Sequence, residues 1–384
     1  MPDVAGAAMK GKQDVAAERI LFLGKRFYTN KDAWKERFGR VFRLPSEWSR
    51  SGANVLLWLV DYHTRQPVDV MQRALKVVST PVPGLALFKA IVGAIRFRPT
   101  VIVASGDCYI GFLGWLVSRW TRARFVFDIY DKYDSFAGYY RPLGFDLFGF
   151  LRRRADLRFY PSRSLAQLYR NESEGKGDEV VSNGVDDEIF RPLPMVECRQ
   201  RLGLDQGARL VGYFGGMEPD RGVADLITAI AALREGGEDI LLLVCGRQHP
   251  STPLDREWIV YRGMVAHEEM PFYLNAADVL VVPYRNSPVM DMGASCKIAE
   301  YLMCERPIAS TRTPNFVANF PTQAAELGAR LCEPGDPAGL ARAVALQLRD
   351  KIILSPPSGM GWPAIAAQAL TAIRSLAGSR RVDL

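Results

Sequence analysis

The chain has 384 residues, 48% of them hydrophobic, with a net charge of +7 and six scattered cysteines without a C-x-x-C pair. That length holds two domains with cores of their own, and the cysteine pattern argues against a disulfide scaffold or a zinc site, leaving reduced core thiols of a cytosolic chain. No zinc-finger spacing, RNP signature or basic recognition helix points to nucleic acid, and the longest apolar neighbourhood, Val77 to Ile95, is broken by Pro81, Pro83 and Lys89 and falls short of a membrane span.

Residues 1–18 are small, polar and charged, and are expected to be disordered. Over residues 19–188 the β-rich runs ILFL, ANVLLWLV, TVIVAS, RFVFDIY and LRFYPS alternate with stretches of helical length, the rhythm of a parallel sheet. This half carries roughly +8 and the remainder is near neutral, so an anionic substrate or an anionic membrane surface would meet the first domain; a solvated basic surface gives the same asymmetry. FRPLPM marks residues 189–206 as a linker. A second rhythm fills residues 207–355, with ARLVGYFGG, DILLLVCG, WIVYRG, DVLVVPY, RPIAS and ARLCEP as its strands. Residues 356–384 read as a Pro/Gly/Ser linker and an amphipathic helix that can pack back on the N-terminal domain. The expected fold class is α/β, with two Rossmann-like doubly wound parallel-sheet domains facing a cleft.

In such sheets ligands bind beyond the carboxyl ends of the strands, which places the loops at Gly215, Gly246, Gly263 and Gly293 around one crevice. The segment DMGASCKIAEYLMCERPIAST, Asp291 to Thr311, runs from a glycine loop into a short helix. Ser295 is a good N-cap, and the helix start favours an anion. Lys297 and Glu300, three residues apart, share one face while Ile298, Tyr301 and Leu302 cover the other. This arrangement suits a nucleotide diphosphate, with Lys297 near the phosphates and Glu300 accepting from ribose hydroxyls. An ordinary surface Lys/Glu pair has the same spacing.

SNGVDDEIFRP (Ser182 to Pro192), YFGGMEPDRG (Tyr213 to Gly222), CGRQHP, YRGMV, the run from His267 through Asp278 to Pro283, and KIAEYLMCERPIAS stand in the order found in one large family. They resemble the second domain of the retaining glycosyltransferases of the GT-B architecture called family four. The resemblance covers residues 180 to 350 well and the first half by strand order. It departs at three places. The first carboxylate of the family's Glu-x7-Glu signature falls on Met292, with Asp291 one place away. The Arg of the glycine-rich loop falls on Gly216, and its Lys corresponds to Arg221.

The resemblance implies a glycosyltransferase moving a sugar, with retention, from a nucleotide-diphosphate sugar to a lipid-linked or polysaccharide acceptor in bacterial cell-surface or exopolysaccharide synthesis; with no Asp-x-Asp motif before a plausible metal loop and with His63, His249 and His267 far apart in sequence, no metal or other cofactor is indicated. UDP or GDP would be the product. Donor binding would fall to Gly215, Gly216, Arg221, Gly246, Arg247, Met264, Val265, Met292, Gly293, Ala294, Ser295, Lys297 and Glu300, with Arg221, Lys297, Glu300 and Asp131 as the catalytic set. The acceptor would meet Gly24, Lys25 and Arg26 in the loop Gly24 to Asn30, Asp107, and Asp131 within Asp128 to Phe136. Helix capping explains the acidic residues equally well, and solvation the two cations. The segment Ala137 to Arg154, ending in Arg152, Arg153 and Arg154, reads either as an interfacial helix on an anionic membrane or as a helix packed on its own sheet. The expected location is cytoplasmic, at most peripheral to the membrane. A nucleotide-sugar epimerase or hydrolase on the same fold, and a non-catalytic partner subunit, are the alternatives.

Overall fold

The computed structural model describes residues 18–378 apart from 29–30, 136–138, 140, 142–143 and 171–176. The expected disorder of residues 1–18 therefore falls, Glu18 excepted, outside the described residues, as do Thr29, Asn30 and Phe136 of the two acceptor loops.

Among the described residues of the first half, ten strands form: β1 (Arg19–Lys25), β2 (Phe27–Tyr28), β3 (Lys31–Asp32), β4 (Asn54–Asp61), β5 (Val68–Gln72), β6 (Leu75–Pro81), β7 (Val101–Ser105), β8 (Arg124–Asp128), β9 (Leu157–Tyr160) and β10 (Gly177–Val180). Eight of them make one sheet in the order β10-β9-β8-β7-β1-β4-β6-β5, and β2 and β3 pair separately as a hairpin beyond the end of β1. The large sheet is parallel except at its edge, where β5 runs antiparallel to β6. Its central strands are continuous apolar runs because both faces are covered. Leu21 and Leu23 point into one core and Ile20 and Phe22 into the other.

The second half supplies β11 (Arg209–Phe214), β12 (Ile240–Cys245), β13 (Ile259–Tyr261), β14 (Val279–Val282), β15 (Ile308–Thr311) and β16 (Leu331–Cys332), all parallel, in the order β13-β12-β11-β14-β15-β16. These are the two doubly wound sheets expected. The sequence reading missed the β5/β6 hairpin, and the edge strand β10, Gly-Asp-Glu-Val, whose polar composition gives no strand signal.

The C-terminal helix Trp362–Gly378 crosses back to the first domain. Trp362, Ile365, Ala366, Ala369, Leu370 and Ile373 enter the same core as Trp48, whose indole donates to the Ala366 carbonyl at 2.8 Å. The chain therefore passes between the domains twice, and the passages touch: Val185 N–H donates to Met360 O at 2.9 Å and Trp362 N–H to Val185 O at 3.2 Å. The Asn-Gly-Val-Asp run belongs to this hinge.

Candidate active site

In the second sheet the strand order reverses at β11, which lies between β12 and β14, and such a switch point opens a crevice at the carboxyl ends. Gly215 follows β11 and Gly246 follows β12, with φ of +142° and +129°. A Cβ on Gly246 would lie 2.0 Å from the Gly215 carbonyl oxygen, so the two loops approach as only glycine permits. Gly246 N–H in turn donates to Gly263 O at 2.7 Å. Three of the four predicted glycine loops are thus stacked side by side.

The helix Cys296–Met303 faces them. Ile298, Ala299, Tyr301 and Leu302 are buried, and the Tyr301 hydroxyl accepts from Phe214 N–H at 3.0 Å, fixing the helix to the end of β11. Lys297 is thereby aimed at the glycine loop: its Nζ lies 3.8 Å from the Tyr213 ring centroid and 5.2 Å from that of Tyr284. Arg221, in the short turn Pro219–Arg221, lies over Tyr284 from another direction, 5.5 Å from the centroid. Its buried Nε has no hydrogen-bond partner among the described residues. Ser295 holds the N-cap position, but its side chain does not cap as expected; its hydroxyl bonds Tyr284 Oη at 2.9 Å and its N–H donates to Asn315 Oδ1 at 3.1 Å.

Glu218, which the sequence reading did not single out, is central to this loop. It takes a hydrogen bond from Arg247 at 2.5 Å and lies 3.8 Å from Arg221 Nε. A Cβ on Gly216 would meet its carboxylate at 2.4 Å, so the glycine standing where the family carries arginine leaves room for it.

Burial, aided by the neighbouring Arg221 charge, holds the Lys297 ammonium well below the usual lysine range. Burial pushes the Glu300 carboxyl up to about 7, against the pull of Lys297 and of Lys31. Lys31 comes from the first domain and was also missed; it follows the carboxyl end of β1, the switch point of the first sheet. Asp131 stands on the same side. Burial raises its carboxyl, opposed by the Tyr28 hydroxyl, which donates to it at 3.0 Å, by Lys132 N–H, and by the Arg221 guanidinium of the other domain. Cations and carboxylates of both domains therefore share one cleft.

The domains meet directly beside it. Ser162 Oγ donates to Met292 O at 2.5 Å and Asn183 Nδ2 to Ala294 O at 3.0 Å, while Asn319, which receives Arg163 N–H at 3.3 Å, donates to Gly293 O at 3.1 Å. The Met292 side chain packs against the apolar core of the first domain. At the position of the absent carboxylate the chain thus makes an interdomain contact, and the Asp291 carboxylate accepts from Asn286 at 3.2 Å.

Other predicted residues lie elsewhere. Gly24 sits within β1 against Val41, and Lys25 pairs with Asp107, which caps the helix Cys108–Thr121 by accepting from Tyr109 and Ile110 N–H, both at 2.9 Å. Arg26 is neither a solvated charge nor an acceptor ligand. It is 1% exposed and bonded to Asp32 at 2.9 Å, Asp61 at 3.3 Å and Gln66 O at 2.9 Å. Met264 is exposed beside the Gly263 loop and Val265 packs into the second domain's core. Of the three clustered arginines, Arg152 turns inward over the Tyr169 ring, 4.0 Å from its centroid, which leaves Arg153 and Arg154 exposed.

The family model described as glycosyl transferases group 1 matches residues 208–350, and one described as a glycosyl transferase 4-like domain matches residues 40–184. A curated relative, 2-deoxystreptamine glucosyltransferase of Streptomyces kanamyceticus, is 25% identical over 197 residues, covering 48% of this chain and 49% of that protein; the match thus spans about half the length of the relative. Among solved structures, sucrose-phosphate synthase of Thermosynechococcus elongatus superposes with a TM-score of 0.70 at 17% identity, covering 94% of this chain and all of that one. Anabaena HepE in complex with UDP-glucose superposes at 0.62, also at 17% identity, covering 94% of this chain and 98% of that one. With both halves matched and two facing Rossmann-like domains, the chain belongs to the glycosyl transferases group 1 family and has the GT-B fold.

Proposed function

We propose that the protein transfers a sugar from a nucleotide-diphosphate sugar to a lipid-linked or polysaccharide acceptor, with retention of anomeric configuration, in bacterial cell-surface synthesis. The observation that carries this reading is the convergence of Lys297 and Arg221 on the Gly215 loop at a sheet switch point. When the glycosidic bond to the diphosphate breaks, the leaving group gains negative charge, and preorganised cations stabilise it more than they stabilise the ground state. Lys297, Arg221 and Arg247 fill that role without a metal. Glu300 accepts from the ribose, and the backbone around Gly246 and Gly263 approaches the base. The Anabaena structure was captured with UDP-glucose and the curated relative is a glucosyltransferase, which supports a nucleotide-sugar donor. Asp131, held by Tyr28, faces the acceptor side.

Thermal-shift measurements with UDP, GDP, ADP and TDP test the donor half, because a ligand of the folded state raises stability by mass action. One nucleotide should stabilise the wild type and fail to stabilise Lys297→Ala. Slow hydrolysis of the matching sugar donor should follow. Stabilisation by none of the four would reject the reading, and binding without any turnover would favour a non-catalytic subunit.

A further inference from the structure

We propose that the outer face of two first-domain helices, Ala86–Phe97 and Cys108–Thr121, docks in the plane of an anionic lipid bilayer. The first helix has only Ala94 fully buried among its twelve residues. Leu85, Phe88, Val92 and Ile95, at spacings of three, four and three, line one outward stripe and are 81%, 69%, 44% and 37% exposed. A cavity of about 560 Å³ opens behind the helix, lined by Trp58, Val78, Ala90 and Phe97, so its inner face is thinly packed as well.

The second helix packs beside the first on the same apolar core and adds Tyr109, Phe112 and Trp120 to the outer surface. The Tyr109 and Trp120 rings, each with one polar end, suit the headgroup layer, Phe112 adds apolar area below it, and a helix of this kind lies in the interface rather than across it. Among the described residues no helix is long and apolar enough to cross a membrane.

Charge selects the occupant. Residues 81–122 contain Lys89, Arg96, Arg98, Arg119 and Arg122 against one acid, Asp107, which is already paired with Lys25. A second copy meeting this face would set like charges against each other, whereas an anionic leaflet complements them. The surface differs from the Arg152 to Arg154 cluster suggested by sequence, because Arg152 turns inward. The proposal deepens the reading of a lipid-linked acceptor, yet vesicle binding needs no turnover, so its failure would leave the donor chemistry standing.

The test is cosedimentation of the full chain with phosphatidylcholine vesicles with and without phosphatidylglycerol. The wild type should bind only the anionic vesicles and be released by salt. Phe88→Glu with Val92→Glu should cut binding about tenfold or more, and Lys89→Gln about fivefold, the loss expected for one cation near an anionic leaflet. Circular dichroism of the variants should be unchanged, since the side chains are exposed. Equal binding by the double variant, no binding by the wild type, or a wild-type dimer that Phe88→Glu with Val92→Glu makes monomeric would each overturn the proposal.

Discussion

Lys297 occupies the space that a side chain at Gly215 would need: its Nζ lies 2.6 Å from where a Cβ on Gly215 would stand. The glycine and the lysine are one device, a bare backbone turn with a cation laid against it. Burial and Arg221 both work against that charge, so keeping Lys297 charged at this place costs stability. With a depressed folded-state pKa, what the residue adds to stability is present above the usual lysine range and lost as pH falls. At neutral pH, Lys297→Met should therefore raise the thermal midpoint of the nucleotide-free protein while lowering kcat/KM by about a hundredfold to a thousandfold. A methionine variant with wild-type turnover would remove Lys297 from the mechanism.

Glu300 titrates in the opposite sense. Its folded pKa is raised from 4.5 to about 7, so the stability it contributes is present below the ordinary carboxylate range and lost as pH rises through about 7. Thermal midpoints without nucleotide should fall over that interval, and fall less in Glu300→Gln. If the ionised carboxylate accepts from the ribose, kcat/KM should climb over the same interval, and the glutamine variant should lose that limb. Identical profiles for the two proteins would exclude Glu300 as the titrating group.

Glu218 holds Arg247 and lies near Arg221. A carboxylate at that place competes with an incoming anion. Because the side chain is a third exposed, solvent screens the competition, and Glu218→Gln should tighten nucleotide-diphosphate binding by only about threefold to tenfold. Isothermal titration at low and high salt checks this, with the difference shrinking as salt rises. Weaker binding by the variant would mean that Glu218 orders the loop instead of occupying it.

The parts legible in sequence were those with local signals. Alternating apolar runs and helical stretches specified the second sheet and the five central and neighbouring strands of the first, though not its β5, β6 or β10, and the spacing of Lys297 and Glu300 specified a shared helix face. The partners that complete the site are distant in sequence. The charge of Lys31 acts on Glu300 from the other domain, and that of Arg221 on Asp131, while the Lys31 ammonium itself lies over the Phe38 ring at 4.0 Å. Side-chain identity also does not announce burial: Arg26 and Arg40 look like surface cations, and both are 1% exposed, with Arg40 joined to Asp128 at 2.7 Å. A rule that placed basic residues on the acceptor surface therefore failed at Arg26, whose neighbours Asp32 and Asp61 are separated from it by turns and a whole helix.

That burial gives Arg26 a testable structural weight. Removing it would leave Asp32 and Asp61 without their cation in the interior, a loss of about 3–5 kcal/mol for a broken buried pair. Arg26→Ala should show it as an earlier urea midpoint, whereas Lys25→Ala, which releases a partly exposed pair with Asp107, should move the midpoint little. Equal effects of the two substitutions would contradict the assignment.

Met292 offers the sharpest separation of family pattern from local structure. Its carbonyl takes the Ser162 hydroxyl and its side chain packs on the first domain's core, so this position serves domain contact. Restoring the family's carboxylate with Met292→Glu would place a charge against the apolar core of the first domain, at a desolvation cost that methionine does not carry. The variant should have lower stability and no higher turnover than wild type, while Met292→Leu, which keeps the apolar contact, should resemble wild type in both. Higher turnover by the glutamate variant would show that the cleft retains the geometry of the lost carboxylate and that the contact at Met292 is incidental.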